Sequence, residues 1–507
     1  MNEIPSSPMP KKRPGKNLPW LWIVPTAIIA LACAASPVAL AQGREADTSA
    51  QDAQQSSRRY MQIIQNVFDF IQRHYVEEID PKQVYEGAMN GMFNALGDPY
   101  SVYMPESEMN DLNDTTQGSF GGVGLYISKS NIPNPDGRPN YLEVASPMED
   151  TPGWKAGINP GDYIIEIEGE STVEMTLDQA VAKLRGPAGT EVKILIRRGE
   201  KLEFPATLTR AIIEVPTTKH AMIGSDIGYL RLITFTPNTV ERAREAINEF
   251  ASKGYKSLIL DLRNNYGGLL TSAVNICDLF LDGGVVVSTK SRIPQENSVF
   301  NARRSTLVPA AIPVIVLINK GSASASEIVA GALKDRGRAY LVGEKSYGKG
   351  SVQQVYPLDR SGFKITTSRY YTPSDVNIDK IGIPPDREVK TPEFTDSDAE
   401  ALGKLIQDRR IPAYIEKNPG AGTADITAFA GELSAEYKLD VSLLRRLVRN
   451  EQNRTNVAPV FDLEYDLQLE EAVKIIQNGD FGNLIKTTKT LKTLQEEAAR
   501  EDEALAS

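Results

Sequence analysis

Residues 314–353 read VIVLINKGSASASEIVAGALKDRGRAYLVGEKSYGKGSVQ. Val314–Asn319 is an apolar run of strand length, which suits a strand buried on both faces of a sheet. Gly321 breaks it. Ser322, Ser324 and Ser326 then alternate with alanines, and a helical pattern follows from about Glu327 to Asp335. A second strand-like run, Ala339–Val342, meets a loop in which Gly343, Gly348 and Gly350 surround Lys349. A serine at such a strand-to-helix junction sits beside unpaired backbone N–H groups and the positive end of a helix dipole. That setting suits a developing oxyanion.

A serine nucleophile needs a base. The chain holds two histidines, His74 and His220. Neither stands in a motif, so a Ser/His/Asp triad is not expected. Lys349, flanked by glycines in a short loop against buried strands, is the natural base, because desolvation lowers a lysine pKa towards neutrality. Lys345, four residues earlier, is its rival and reads as a solvated loop charge.

Upstream, strand and helix patterns alternate: Gly228–Phe235, Thr239–Ser252, then the buried run Ser257–Leu262. Arg263-Asn264-Asn265-Tyr266-Gly267-Gly268 follows, with a helical run to about Leu281. This alternation predicts an α/β core. Residues 118–210 read instead as a β-rich module. Val192, Ile194 and Ile196 alternate with polar residues, as do Leu202, Phe204 and Ala206, and Leu177–Leu184 is helical. In Gly121-Gly122-Val123-Gly124-Leu125 the glycines leave N–H groups that can converge on a carboxylate. Val123 and Leu125 can form a strand for an added peptide.

The SASASEI…GEKSYGKGSVQ stretch resembles the carboxyl-terminal processing proteases, the tail-specific Ser/Lys peptidases of family S41. The resemblance extends over roughly residues 58–390. In that family the nucleophile lies twenty-five residues before the lysine and a glutamine four after it, which gives Ser324 and Gln353 around Lys349. The resemblance implies that Gln353 orients Lys349 by hydrogen bonding, with Ser322 and Ser326 as helix-start residues. Asp335 matches a family acidic residue, with backbone or Arg338 as its expected partners. DLRNNYGG resembles the family's DLRNNPGG loop, with Tyr266 in place of proline, so Gly268 or Gly267 would join the Ala325 N–H in the oxyanion hole. Gly153–Asp162 (GWKAGINPGD) matches the AGI-x-x-GD turn of a PDZ domain, which implies docking of substrate C-terminal tails. Arg185 would couple docking to activity, or else cap a helix C-terminus. Gly382–Val389 matches the usual end of the catalytic core.

The expected fold is therefore multidomain α/β. Residues 1–41 form a signal peptide or membrane anchor, 42–57 a disordered tether and 58–115 an N-terminal helical region. A PDZ domain follows at 116–212, then a crotonase/Clp-like Ser/Lys protease core at 213–390 and a mostly helical region at 391–507. The basic residues Lys11, Lys12, Arg13 and Lys16, an apolar stretch to about Leu40 and Ala39-Leu40-Ala41 support export. Localisation is expected in the periplasm or at the outer face of the cytoplasmic membrane.

Composition limits the alternatives. Removing residues 1–41, with four basic and one acidic side chain, takes the formal net charge from −10 to −13. An acidic chain has no electrostatic reason to bind nucleic acid. Two cysteines, Cys33 and Cys277, build neither a disulfide framework nor a zinc site. No cofactor or metal is called for. The expected activity is serine endopeptidase action on proteins with apolar C-terminal tails. The alternative is a PDZ peptide-binding adaptor with an inactive core. Further expected partners are an activating adaptor, the membrane, and a second copy through the N- and C-terminal helices.

Overall fold

In the computed structural model, the described residues are 45–506 except 130–138, 149, 200, 201, 305, 392–395, 455–458 and 480. The proposed leader and Cys33 lie outside them. Residues up to Val84 form one compact unit and Tyr85 onwards a second. The first contains the helix Glu45–His74, which runs through the stretch expected to be a disordered tether. The reason lies in propensity: Ala46, Ala50, Gln51, Ala53 and Gln54 favour a helix although nothing apolar among them calls for packing. Among the described residues, no helix is long and apolar enough to cross a membrane.

The second unit is built on a six-stranded sheet. In order its strands are Thr218–Ile223, Ile227–Leu232, Ser257–Asp261, Val314–Ile318, Tyr340–Gly343 and Arg387–Glu388. The first pair is antiparallel and the rest run parallel. Every residue of Ser257–Asp261, Val314–Ile318 and Tyr340–Gly343 is buried, as their continuous apolar runs require. The helices Thr239–Ser252, Leu270–Cys277 and Ala325–Asp335 contribute to one apolar cluster with Leu230, Leu258, Val316 and Leu341. Ile259, Ile315, Leu317 and Val342 instead pack against Leu469, Ala472, Val473 and Ile475 of the helix Leu467–Gln477. Part of the 391–507 region is thus a layer of the core, because a parallel sheet needs both faces covered. The remaining C-terminal helices have an apolar cluster of their own around Phe429, Leu433 and Leu444.

A second sheet continues from the loop that carries Lys349. Val102–Met104, Ser361–Tyr371, Asp282–Ser291 and Ser298–Arg304 are neighbours in that order, and Ser351–Leu358 pairs with Ser361–Tyr371. The β-rich module has its own sheet, ordered Leu125–Ser128, Leu142–Pro147, Tyr163–Ile167, Glu191–Arg198 and Leu202–Thr209. Its helix is Leu177–Leu184, started by a capping box in which Thr176 and Gln179 exchange side-chain-to-backbone bonds at 2.9 and 3.2 Å. A two-stranded ribbon, Ser119–Gly122 with Ala211–Glu214, brackets the module in sequence.

Candidate active site

The strand Val314–Ile318 ends in a turn held by side chains. Ser322 Oγ donates to Leu262 O at 2.9 Å and accepts from Asn319 N at 3.0 Å, while Ser326 Oγ donates to Asn265 O at 2.8 Å. Ala323 N reaches the same Asn265 carbonyl at 3.0 Å. Ser322 and Ser326, expected as helix-start residues, therefore lace two loops together. Between them Ser324 has φ 55° and ψ −113°. A non-glycine residue there is strained by about 1–3 kcal/mol, and such strain persists only where surroundings impose it.

Glu327 imposes it. Its buried carboxylate accepts four hydrogen bonds: from Ser324 N at 2.9 Å, Lys349 N at 2.9 Å, Gly348 N at 2.7 Å and Ser346 Oγ at 2.6 Å. One carboxylate thus fixes the serine turn to the lysine loop. Burial pushes the Glu327 carboxyl up, against those bonds. Tyr370 adds a second tie, since its buried hydroxyl donates to Ser324 O at 3.2 Å and also contacts Lys349 O. Sequence reasoning assigned neither residue. The S-x-x-E spacing of a capping box pointed to Glu327; Tyr370 had no such signal.

Burial also pushes the Lys349 ammonium down, with help from nearby Lys364, while Glu327 and Asp98 oppose the shift. Lys349 Nζ stands 4.8 Å from the centroid of the Tyr100 ring. No hydrogen bond joins Nζ to Ser324 Oγ among the described residues. Among the described residues, Gln353 makes no hydrogen bond to the lysine, where one was expected. Its Nε2 donates to Ser351 Oγ at 2.9 Å and Thr366 Oγ1 at 3.1 Å, because the strand Ser351–Leu358 turns the amide into its own hairpin. Asp335 likewise ignores Arg338. It accepts from Ser374 N and Oγ at 3.0 and 2.6 Å and from Leu491 N at 2.7 Å.

The glycine turn lies against the serine. A Cβ on Gly267 would meet Ser324 Cβ at 2.8 Å and Ala325 N at 3.0 Å, and its φ of +106° also favours glycine. The two candidate donors differ, however. Gly267 N–H donates to Asn265 Oδ1 at 2.9 Å. Gly268 bridges Phe235 through its neighbours' amides, and its own N–H finds no acceptor among the described residues. Ala325 opens the helix, where no intrahelical carbonyl reaches its N–H.

In the β-rich module, Leu125–Ser128 is an edge strand, paired on one side with Leu142–Pro147. Gly121 and Gly122 are already paired with Ile212 and Ala211, so the turn proper is Val123–Gly124. Gly124 has φ +70°, and a Cβ there would meet Thr151 Cβ at 2.3 Å. Arg185 follows the helix, but its guanidinium stacks 4.9 Å over Phe120 on the ribbon. Arg210 takes the helix-end carbonyls of Lys183 and Leu184, at 2.7 and 3.2 Å. Arg185 itself ends the helix, its N–H donating to Val181 O at 2.9 Å.

Comparison with known proteins agrees with this layout. Residues 226–389 match peptidase family S41, 143–198 match the PDZ domain, and 31–108 match the N-terminal domain of the activating protease CtpB. The carboxy-terminal-processing protease of Bartonella bacilliformis is 40% identical over 380 residues, covering 73% of this chain and 85% of that protein. CtpB of Bacillus subtilis is 37% identical, covering 66% and 68%. The solved photosystem II D1 C-terminal processing protease is 31% identical, covering 64% of this chain and 86% of its own, with a TM-score of 0.38. The chain belongs to the carboxy-terminal processing proteases, serine-type peptidases of family S41 with a PDZ domain.

Proposed function

We propose that Ser324 and Lys349 carry acyl transfer in this peptidase, on substrates whose C-terminal tails dock in the PDZ domain. The observation that supports it most is the Glu327 carboxylate, which holds the Ser324 turn and the Lys349 loop in one unit. Neutral Lys349 takes the Ser324 proton as Oγ attacks the peptide carbonyl carbon. The oxyanion is received by the N–H groups of Ala325 and Gly268, with Gly267 as the close-packed spacer between turn and serine. Lys349 then protonates the leaving amine, deprotonates a water for attack on the acyl-enzyme, and returns the proton to Ser324. The Ser324–Lys349 hydrogen bond forms when substrate closes the site, as catalytic bonds commonly do. Gln353 acts at one remove, by bracing the hairpin that follows Lys349.

An apolar tail adds as a strand beside Leu125–Ser128, with its carboxylate at the Val123–Gly124 turn. Arg185, stacked on the ribbon at Phe120, couples docking to the core. The basic and apolar leader supports export to the periplasm or the outer face of the cytoplasmic membrane. An activating adaptor and self-association through the terminal helices belong to the same reading. The test compares the wild-type protein with S324A and K349A on an unfolded protein bearing an apolar C-terminal tail. Cleavage is expected to vanish in both variants while their melting temperatures hold. Undiminished cleavage by either variant would refute the assignment.

A further inference from the structure

The half-buried Lys349 has an aromatic ring for a partner in place of an acceptor. Among the described residues its Nζ makes no hydrogen bond and no ion pair. Removing a cation from water is costly unless something replaces the lost hydration. What Nζ faces is the ring of Tyr100, with its centroid 4.8 Å away. A cation is attracted to an aromatic face within about 6 Å of the centroid, and more strongly where water is excluded.

The ring is held at both ends. Asp98 Oδ1 accepts the Tyr100 N–H at 3.0 Å, and Asp98 Oδ2 accepts from Ser101 Oγ at 2.5 Å. Ser101 Oγ in turn accepts the Thr366 N–H at 3.0 Å, and Val102 pairs with Lys364 on the same strand. Thr366 Oγ1 also accepts from Gln353 Nε2 at 3.1 Å, so the turn that carries the ring is tied to the hairpin following Lys349. At its far end Tyr100 OH points at Tyr347 OH, a long contact of 3.5 Å. The Tyr347 N–H donates to Ser322 O at 3.0 Å. Lysine loop, serine turn and hairpin thus all bear on where one ring lies.

We infer that Tyr100 is a positioning residue for peptide cleavage, its ring face holding Lys349 Nζ and stabilising the ammonium formed there. This role rests on Lys349 being the base proposed above. As Ser324 attacks, its Oγ–H bond breaks and an Nζ–H bond forms. The positive charge then lies over the ring until the proton passes to the leaving amine. A neutral amine gains little from the ring and an ammonium gains more, so the contact strengthens along the reaction, which is the condition for lowering a barrier. Gln353 acts on the base by the same route, through Thr366 and Ser101 to the Tyr100 turn. Of the charged groups around Nζ, Lys364 repels the ammonium while Glu327 and Asp98 attract it. Asp379 accepts the Gly350 N–H at 3.1 Å, and the Tyr370 hydroxyl contacts Lys349 O. A change confined to the ring of residue 100 leaves all of these in place.

The test is single-turnover cleavage of an unfolded protein with an apolar C-terminal tail, followed across neutral and alkaline pH. The full chain carries at position 100 either phenylalanine or phenylalanine with one, two or three ring fluorines, which keep the shape and progressively weaken the negative face. Y100F should keep the wild-type rising limb, because the hydroxyl is not used. Along the fluorine series the limb should move to lower pH by about one unit, as the ammonium loses its support, and the plateau rate should fall about tenfold. Y100L, an apolar cover without a ring, should match the most fluorinated form, and the series stays decisive should Y100L fold poorly. A limb that stays in place along the series overturns the inference, as does Y100F behaving like Y100L. K349A separates the two levels. Cleavage by K349A removes Lys349 as base and the role of Tyr100 with it, whereas an inactive K349A beside an unmoved limb removes the role of Tyr100 alone.

Discussion

Glu327→Gln tests whether one carboxylate positions both reacting groups. Glu327 Oε2 receives the N–H groups of Ser324 and Lys349, and Oε1 receives Gly348 N–H and Ser346 Oγ. The glutamine oxygen is expected to keep the Ser324 and Lys349 pair. Its NH2 then points at Ser346 Oγ, which can accept, and at Gly348 N–H, which cannot. Two charge-assisted bonds become neutral at about 1 kcal/mol each, and an orphaned Gly348 N–H costs about 1–3 kcal/mol. Relief of the carboxylate's own desolvation, the cause of its raised pKa, offsets part of this. A net stability loss of about 2 kcal/mol is expected. The kinetic effect is larger, because Gly348 adjoins the base, and a displacement of about 1 Å at a reacting group lowers rate by about 10²-fold. Single-turnover cleavage of an unfolded substrate should therefore show about a 100-fold fall in kcat with KM little changed. A fully folded E327Q enzyme with wild-type kcat would refute the reasoning.

Two further outcomes follow from buried charge. Desolvation, with Lys364 beside it, lowers the Lys349 pKa, so neutral base accumulates below the ordinary lysine range. Activity should rise with pH through that lowered value, and K364M should move the rising limb towards alkaline pH. A limb that K364M leaves in place would dissociate the two lysines. Elsewhere, Lys334 Nζ is buried against Asp386 Oδ1, while Asp386 Oδ2 accepts from Leu341 N at 2.8 Å. K334M strands the carboxylate and should cost about 3–5 kcal/mol in denaturant titration. K334M/D386N, which keeps an acceptor for Leu341, should recover much of that; equal instability of the single and double variants would count against a charge penalty.

What could be read from the chain alone was set by period and spacing. The helices Thr239–Ser252 and Leu177–Leu184 and the buried strand at Val314 were legible because their apolar periods are strong and their ends are marked. The proposed pair Ser324 and Lys349 was read from its separation in the chain. The partners of Gln353 and Asp335 were not, because a side chain's bond depends on how strands and helices distant in sequence meet, and spacing carries none of that. The proposed preference for Gly268 over Gly267 rests on the direction of one amide, which spacing does not carry. The 391–507 region was read only as mostly helical, and nothing in its sequence said that Leu467–Gln477 covers the core sheet. At Glu45–Ser57, low hydrophobicity was mistaken for absence of structure, although helix propensity needs no apolar face.

The packing of Leu467–Gln477 on the sheet and the bond from Leu491 N to Asp335 bear on biosynthesis. Both contacts are made by residues translated more than a hundred positions after Ser324 and Lys349. Until they emerge, one face of the parallel sheet lacks its cover and the end of the nucleophile's helix lacks its last anchor. A nascent chain that already carries every reacting group is thus held short of a finished catalytic body. Competence arrives late in translation, and a ribosome stalled before residue 467 would display a peptidase sequence without a peptidase.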